Sequence, residues 1–265
     1  TYLITTKSKD HEKIRGIQDR FSRSGFDLTI IDGINGAAME AADYFQRTQP
    51  WRFLTGYMMT PGELGCVLSH QKALRLASES PKGIHLFLED DFQASDEALT
   101  WILDVSKRLP RKTFLLLGGQ EGMRRVYRCV RAAPVDSLQD VAEVNPADLE
   151  YLRRTVAYVV DSATAKALAD LIDKGAFVMD DLRHAYNNHA FERLWFRWVV
   201  SHPLELRESS IEKERQAMRR PHWSLRSWVE LTNRRKMQLG LIWRWMTTPS
   251  TGFLHNQQPE NQLPE

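Results

Sequence analysis

The chain has 265 residues and a mass of 30.7 kDa, with 42% hydrophobic residues, 26% charged residues and a formal net charge of +2. This composition excludes collagen-like, low-complexity and wholly disordered proteins. The sequence has neither an apolar run long enough to span a membrane nor a signal-peptide pattern, so we expect a cytoplasmic protein. Its two cysteines, Cys66 and Cys129, are too few for a disulfide framework.

Strands and helices alternate along the first 205 residues. Apolar segments predict strands at 2–5, 28–31, 84–88, 114–117 and 156–160. Periodic or capped segments predict helices at 10–24, 60–80, 96–108 and 162–174, and one more that begins near Leu182. Residues 34–59 have no sustained period and are predicted to be irregular. The alternation predicts one α/β domain with a mostly parallel sheet, which binds ligands beyond the carboxyl ends of its strands.

Three adjacent carboxylates, Glu89, Asp90 and Asp91, end the predicted strand at 84–88. Neighbouring carboxylates repel one another unless a positive charge joins them. Hard oxygen ligands suit Mg²⁺ or Mn²⁺, which commonly bridge protein carboxylates to the phosphates of a substrate. A solvated acidic turn before the next helix is the alternative. The position at the end of a buried strand favours the metal and ligand site.

A second acidic pair, Asp180 and Asp181, precedes the helix that begins near Leu182. As N-caps of that helix the two residues need no further function. A partly desolvated carboxylate close to other carboxylates has a raised pKa, which suits a general base. Both interpretations stay open from the sequence.

One stripe of the helix predicted at 60–80 carries Glu63, Cys66 and His70. Thr60 and Glu63 have the spacing of a capping box. Cys66 and His70, four residues apart, could bind zinc, but no second Cys/His pair completes a four-ligand structural site, so zinc is not favoured. The sequence has no glycine-rich phosphate loop and no Gly-x-Ser-x-Gly elbow, which excludes those enzyme classes.

Residues 215–246 are basic and rich in tryptophan. They hold eight Lys and Arg against one Glu, with four Trp between them. This mixture suits an anionic membrane surface. A helix pair that packs its Trp side chains on the core is the alternative interpretation. Residues 247–265 are predicted to be a disordered tail.

Four blocks taken in order resemble glycosyltransferase family 25, which includes lipooligosaccharide and lipopolysaccharide galactosyltransferases of Gram-negative bacteria and, as relatives, collagen galactosyltransferases. The blocks are 60–70, 88–91, 157–160 and 178–181. The similarity extends from Tyr2 to about Ile211. We therefore predict a glycosyltransferase domain at 1–211, a helical basic extension at 212–246 and the tail at 247–265.

The resemblance implies a GT-A type, Rossmann-like fold. It implies inverting, metal-dependent transfer of galactose or glucose from a UDP-sugar to a lipopolysaccharide-type or lipooligosaccharide-type saccharide or glycolipid. The donor-site residues that it implies are Glu63, Ser69, His70, Glu89 and Asp90. The implied ligands of Mn²⁺ or Mg²⁺ are Asp91 and Asp90, and the implied base is Asp180, with Asp181 as the alternative. If the basic segment binds lipid, the enzyme is peripheral on the cytoplasmic face of the inner membrane; no nucleic acid partner is expected.

Two segments depart from the family pattern. Ile4-Thr5-Thr6 stands where Ile-Asn-Leu is usual, and Arg153-Arg154-Thr155 stands where a Gly-Thr pair is usual. A non-catalytic protein that binds sugar nucleotides at a membrane surface is therefore the alternative function. The intact acidic motifs favour the enzyme.

Overall fold

The computed structural model describes residues 1–80, 83–121, 130–203 and 210–218. In these residues eight strands form a single sheet with the order β2-β1-β3-β7-β4-β8-β6-β5. The strands are β1 (Tyr2–Thr5), β2 (Thr29–Asp32), β3 (Ile84–Glu89), β4 (Thr113–Gly118), β5 (Ala132–Val135), β6 (Leu138–Val144), β7 (Ala157–Asp161) and β8 (Arg193–Val200).

Helices cover both faces of this sheet. The α-helices in the described part of the chain are α1 (Glu12–Arg23), α2 (Ala41–Thr55), α3 (Pro61–Glu79), α4 (Asp96–Ser106), α5 (Ser162–Lys174), α6 (Leu182–Asn187) and α7 (Ser210–Met218). Short 3₁₀ helices lie at Gly36–Ala38 and Pro146–Tyr151. None of these helices combines the length and the apolar composition that a membrane crossing requires.

Six of the eight described strands run in one direction, and β6 and β7 run in the other. The predicted α/β fold class is confirmed, with β7 inserted antiparallel between β3 and β4. The carboxyl ends of β1, β3, β4 and β8 therefore meet at one edge of the sheet, and β7 begins at that same edge. This edge brings together residues that are far apart in the sequence.

The core lies on both sides of the sheet. Buried Leu3, Leu88 and Leu115 belong to the cluster that includes residues of α1 and α4, whereas Phe87 and Tyr158 belong to the cluster that includes residues of α3 and α5. Central strands that are covered on both faces carry continuous apolar runs rather than an alternating pattern. This is why β3 and β4 are visible in the sequence.

The prediction that residues 34–59 are irregular is wrong over Ala41–Thr55, which form α2. Pro50 lies inside this helix, and a proline normally interrupts a helical pattern. Apolar side chains also point in several directions, because Trp51 is buried while Phe53 is 79% exposed. The sequence therefore shows no amphipathic period there.

Strands β5, β6 and β8 were not predicted. β5 contains Pro134 and lies at the edge of the sheet, where a missing backbone donor is tolerated. β8 forms because its apolar residues complete both clusters: Phe196 lies in one and Trp195 in the other.

Loop residues 34–36 pack tightly against the start of α3. A Cβ atom at Gly36 would lie 1.7 Å from the Pro61 carbonyl oxygen, and one at Gly65 would lie 2.4 Å from the Ile34 carbonyl oxygen. Ser69 supports the same contact, because its hydroxyl accepts a hydrogen bond from the Ile34 N–H at 2.7 Å and donates one to the Gly65 carbonyl at 2.6 Å. Ser69 therefore braces this loop.

Helix α7 crosses the predicted domain boundary at 211/212 and contacts α3. The Glu214 carboxylate accepts a hydrogen bond from the Gly62 N–H at 2.6 Å. Residues 219–246 of the predicted basic extension and the predicted tail at 247–265 lie outside the described residues, as does Cys129.

Candidate functional site

Asp90 is held by the loop that follows β1. Lys7 Nζ lies 2.9 Å from Asp90 Oδ1 and 2.8 Å from Oδ2, and the Thr5 hydroxyl donates a hydrogen bond to Oδ2. Thr5 belongs to the segment that departs from the family pattern, and Lys7 follows that segment. Together Thr5 and Lys7 neutralise and orient Asp90.

Asp91 faces His202, which follows β8. Gln93 and Ser201 exchange backbone hydrogen bonds of 2.9 and 2.7 Å, which brings the two chain segments together. His202 Nε2 lies 3.0 Å from Asp91 Oδ2. Asp91 Oδ1 is a buried carboxylate oxygen without a hydrogen-bond partner in the described part of the chain.

Burial raises the pKa of Asp91, but the hydrogen bond and charge of His202 and the charge of Lys13 outweigh it, so that the net shift is downward. Burial in turn lowers the pKa of His202, and the contact with Asp91 reverses this, so that its pKa is raised. An ionised carboxylate with one oxygen that has no partner among the described residues fits a divalent cation. Sequence reasoning missed His202 because β8, which positions it, was not predicted.

Glu89 turns toward α3. Its Oε1 lies 3.3 Å from His70 Nε2, and His70 Nδ1 lies 3.0 Å from the Tyr158 hydroxyl. His70 is fully buried, and Tyr158 stacks between Phe87 and Phe114 with ring centroids 4.8 and 4.9 Å away. The aromatic stack fixes Tyr158, which in turn orients the imidazole toward Glu89.

Glu63 has several partners at the start of α3. It completes the capping box by accepting a hydrogen bond from the Thr60 N–H at 2.7 Å, and the Tyr57 hydroxyl donates to it at 2.8 Å. Arg215 of α7 pairs with Glu63 Oε1 at 2.7 Å. Burial and the charge of Glu63 raise the pKa of Tyr57 to about 12, against the opposing effect of Arg215. Glu63 therefore ties α7 to α3, and Arg215, counted in the predicted membrane segment, belongs to this network.

The two aspartates after α5 have different surroundings. Asp181 is the N-cap of α6 and accepts a hydrogen bond from the His184 N–H at 2.9 Å. Asp180 is half-buried and accepts a longer bond, 3.4 Å, from the Arg154 N–H. Burial raises the pKa of Asp180, and the opposing charge of Arg153 does not cancel this rise. The N-cap interpretation thus explains Asp181 but not Asp180.

The two acidic clusters converge on Cys66. Burial raises the pKa of the Cys66 thiol well above its ordinary value, and the negative charges of Glu89, Asp180 and Glu63 raise it further. Glu89 ends β3 and Asp180 lies just before the N-cap of α6, so that the fold brings both within electrostatic reach of Cys66. Asp90 and Asp91 instead face Lys7 and His202.

Sequence reasoning also missed Gln120 and Arg154, which shape the loop before β7. The Arg153 N–H donates to Gln120 Oε1 at 3.0 Å, and Arg154 Nη1 donates to the Glu121 carbonyl at 2.9 Å. Arg154 has a φ of 63°, in the left-handed region that favours glycine. The sequence signal was present, because Arg154 stands where the family usually has Gly-Thr.

Comparison with solved structures gives a match to a mannose-1-phosphate geranyltransferase from Thermus thermophilus, with 13% sequence identity and a TM-score of 0.34. The match covers 84% of this chain and 65% of that chain, so this chain spans less than two thirds of the length of that protein. No curated protein matches this chain.

A family comparison gives a match over most of the chain. The matching family is described as glycosyltransferase family 25 (LPS biosynthesis protein), and the match spans residues 1–183. That range contains both acidic clusters and helix α3. The chain belongs to glycosyltransferase family 25.

Proposed function

We propose that this glycosyltransferase is an inverting, metal-dependent hexosyltransferase. It moves galactose or glucose from a UDP-sugar to a lipopolysaccharide-type or lipooligosaccharide-type saccharide or glycolipid. The observation that carries the proposal is the buried Asp91 Oδ1, which has no hydrogen-bond partner in the described part of the chain and lies next to the end of β3, where a divalent cation would bind. Family membership supports the transferase class.

Asp180 is the proposed general base. Inversion requires a base on the face of the sugar opposite the departing diphosphate, where it accepts the proton of the attacking acceptor hydroxyl. A desolvated carboxylate with raised pKa holds that proton better than an ordinary aspartate. Asp181 is the reserve, but its side chain already accepts the bond from the His184 N–H.

Asp91 is the proposed principal metal ligand, with His202 beside it. Asp90 has both oxygens occupied by Lys7, whereas Asp91 retains a buried oxygen without a partner among the described residues. A Mn²⁺ or Mg²⁺ ion bound there would offset the charge that develops on the departing diphosphate. Asp90, held by Thr5 and Lys7, is the second proposed ligand and a donor contact.

Glu63, Ser69 and His70 support the donor side of the proposed site. Ser69 braces the loop before α3, Glu63 fixes α7, and His70 orients Glu89. They act by positioning other groups, whereas Glu89 and Asp90 are the side chains that meet the donor.

The proposed membrane location depends on residues 219–246. Arg215 pairs with Glu63, and residues 219–246, which lie outside the described residues, contain seven Lys and Arg. Polybasic attraction is worth about 1 kcal/mol per Lys or Arg near an anionic surface, so this number still predicts binding to anionic lipid.

The test is donor turnover by the full chain with a panel of nucleotide sugars and added Mn²⁺. We expect release of UDP from UDP-galactose or UDP-glucose, and loss of turnover with EDTA. A thermal-shift assay with the same donors gives an independent readout, since a ligand that binds only the native state raises the midpoint. Donor binding without turnover for any donor or acceptor would instead support the non-catalytic sugar-nucleotide binder.

A further inference from the structure

We infer that Cys66, His70 and Glu89 form a site for a soft divalent transition metal of the Zn²⁺ class, separate from the hard-oxygen site at Asp91. One ligand atom from each of the three residues lies within 4.8 Å of the others. Cys66 and His70 are one turn apart on α3, and Glu89 approaches from the end of β3.

The distances suit a single ion. Zinc bonds of about 2.0–2.3 Å place the ligand atoms of a tetrahedral site about 3.3–3.7 Å apart. The His70 Nε2 to Glu89 Oε1 distance of 3.3 Å already has this value. The Cys66 sulfur lies within 4.8 Å of the other two ligand atoms, and Cys66 is not completely enclosed.

The ligand set selects the metal. A thiolate and an imidazole favour Zn²⁺ or Co²⁺ over Mg²⁺, which prefers oxygen ligands. Three protein ligands leave a fourth position for water, as in zinc sites that are not purely structural. The sequence argument against zinc considered only four-ligand sites built from Cys and His, and it did not include Glu89.

Tyr158 supplies the outer support that such sites need. A metal-bound histidine usually donates its second ring N–H to a fixed acceptor. With a metal on Nε2, the proton resides on Nδ1 and is donated to the Tyr158 hydroxyl, 3.0 Å away. The stack of Phe87, Tyr158 and Phe114 fixes that hydroxyl before any metal arrives.

Metal at this site would also affect transfer, a consequence that rests on the proposed function. Glu89 cannot meet the donor while it is bound to the metal, so we expect Zn²⁺ to inhibit even with Mn²⁺ present. The experiment that tests metal binding therefore does not depend on transferase activity.

The test uses Co²⁺ as the probe on the full chain, because cobalt bound to a thiolate gives a near-ultraviolet charge-transfer band. We expect this band in the wild-type protein and in Cys129→Ser, which has lost the other thiol. We expect Cys66→Ser to lack the band and Tyr158→Phe to bind Co²⁺ roughly 10–100-fold more weakly. Excess Zn²⁺ should displace the cobalt.

Absence of the band in the wild-type protein, or its persistence in Cys66→Ser, would overturn the site. Asp91→Asn should keep the band, and its loss there would show that cobalt binding depends on Asp91 and that the two sites are not separate. If the band is present and Zn²⁺ does not inhibit an active transferase, the metal site stands and the competition for Glu89 is wrong. If no transfer activity is found at all, the proposed function fails and the spectrum still decides the metal site.

Discussion

The carboxylates at the end of β3 and the carboxylate of Asp180 after α5 differ in their partners and in the direction of their pKa shifts. Glu89, Asp90 and Asp91 face His70, Lys7 and His202 respectively. Asp180 has a single 3.4 Å hydrogen bond from a backbone N–H within the described part of the chain, and burial raises its pKa, whereas the pKa of Asp91 is lowered.

This difference shows how two aspartates in one proposed site, Asp91 and Asp180, can have different functions. A carboxylate beside cationic partners stays ionised and suits metal binding and charge compensation. A desolvated carboxylate accepts a proton more readily and suits base catalysis. The neighbours, rather than the residue type, thus separate the proposed roles of Asp91 and Asp180.

Replacement of Asp180 tests the base side of this comparison and has the largest expected effect. Asp180→Asn keeps the shape and the acceptor for the Arg154 N–H but cannot accept the proton of the acceptor hydroxyl. We expect kcat to fall roughly 10²–10⁴-fold while donor affinity changes little. Steady-state kinetics and donor titration measure the two separately.

Asp181→Asn is the matched control for that change. Its carboxylate caps α6, and an asparagine oxygen caps a helix about equally well, so we expect both stability and kcat to change little. If kcat falls only in Asp181→Asn, the base is Asp181 and not Asp180, and the proposed difference in function between Asp91 and Asp180 is wrong.

Replacement of Asp91 tests the metal side. Asp91→Asn removes a charged ligand, and we expect transfer at a fixed Mn²⁺ concentration to fall about 10²–10³-fold, with partial recovery as Mn²⁺ is raised. Asp96→Asn is the control, because Asp96 pairs with Arg20 on the surface, and it should leave the rate unchanged. Near-normal activity of Asp91→Asn would show that Asp91 is not the principal metal ligand.

The stability of Asp180→Asn sharpens the comparison without any assay of activity. A carboxylate whose pKa is raised in the folded state favours folding at low pH, and this contribution is lost as pH rises through its folded pKa. At neutral pH the ionised group therefore costs stability. We expect Asp180→Asn to be more stable at pH 7, by roughly 0.5–2 kcal/mol.

At about pH 4, near the ordinary pKa of an aspartate, the difference between the two proteins should largely disappear. Urea unfolding at both pH values measures it. A variant that is less stable at pH 7 would show that Asp180 is a structural anchor rather than a strained base.

Much of this fold could be predicted because its signals are contiguous in the sequence. The apolar run of β3 and the capping box of α3 each lie within a few residues, and both were located correctly. The acidic residues were proposed as site residues for the same reason. Helix α2 was missed because Pro50 and a scattered apolar pattern hide it.

The partners of the acidic residues could not be predicted in this way. His202 reaches Asp91 only because β8 joins the sheet, and Arg215 reaches Glu63 only because α7 packs on α3. Such contacts depend on the assembled fold, and no local pattern contains them. Sequence reasoning therefore predicted the carboxylates as site residues but did not predict the basic residues that pair with them.

Arg154 interacts with residues of both regions, Asp180 after α5 and His202 beside Asp91, and its replacement has the smallest expected effect. Its backbone N–H bonds to Asp180, and its charge lowers the pKa of His202, although burial and Asp91 affect that pKa more. Its φ of 63° is unfavourable for any residue with a Cβ atom, by roughly 1–2 kcal/mol. The Arg154 side chain offsets this cost through its hydrogen bond to the Glu121 carbonyl.

Two variants separate the strain from the contacts. Arg154→Ala keeps the strained backbone and loses the side-chain contacts, whereas Arg154→Gly loses both the contacts and the strain. We therefore expect Arg154→Gly to be more stable than Arg154→Ala by about 1 kcal/mol in urea unfolding, since glycine adopts this conformation freely but also gains entropy in the unfolded chain. Equal stability of the two variants would show that the loop relaxes, and that the 3.4 Å bond to Asp180 is not held by a strained residue.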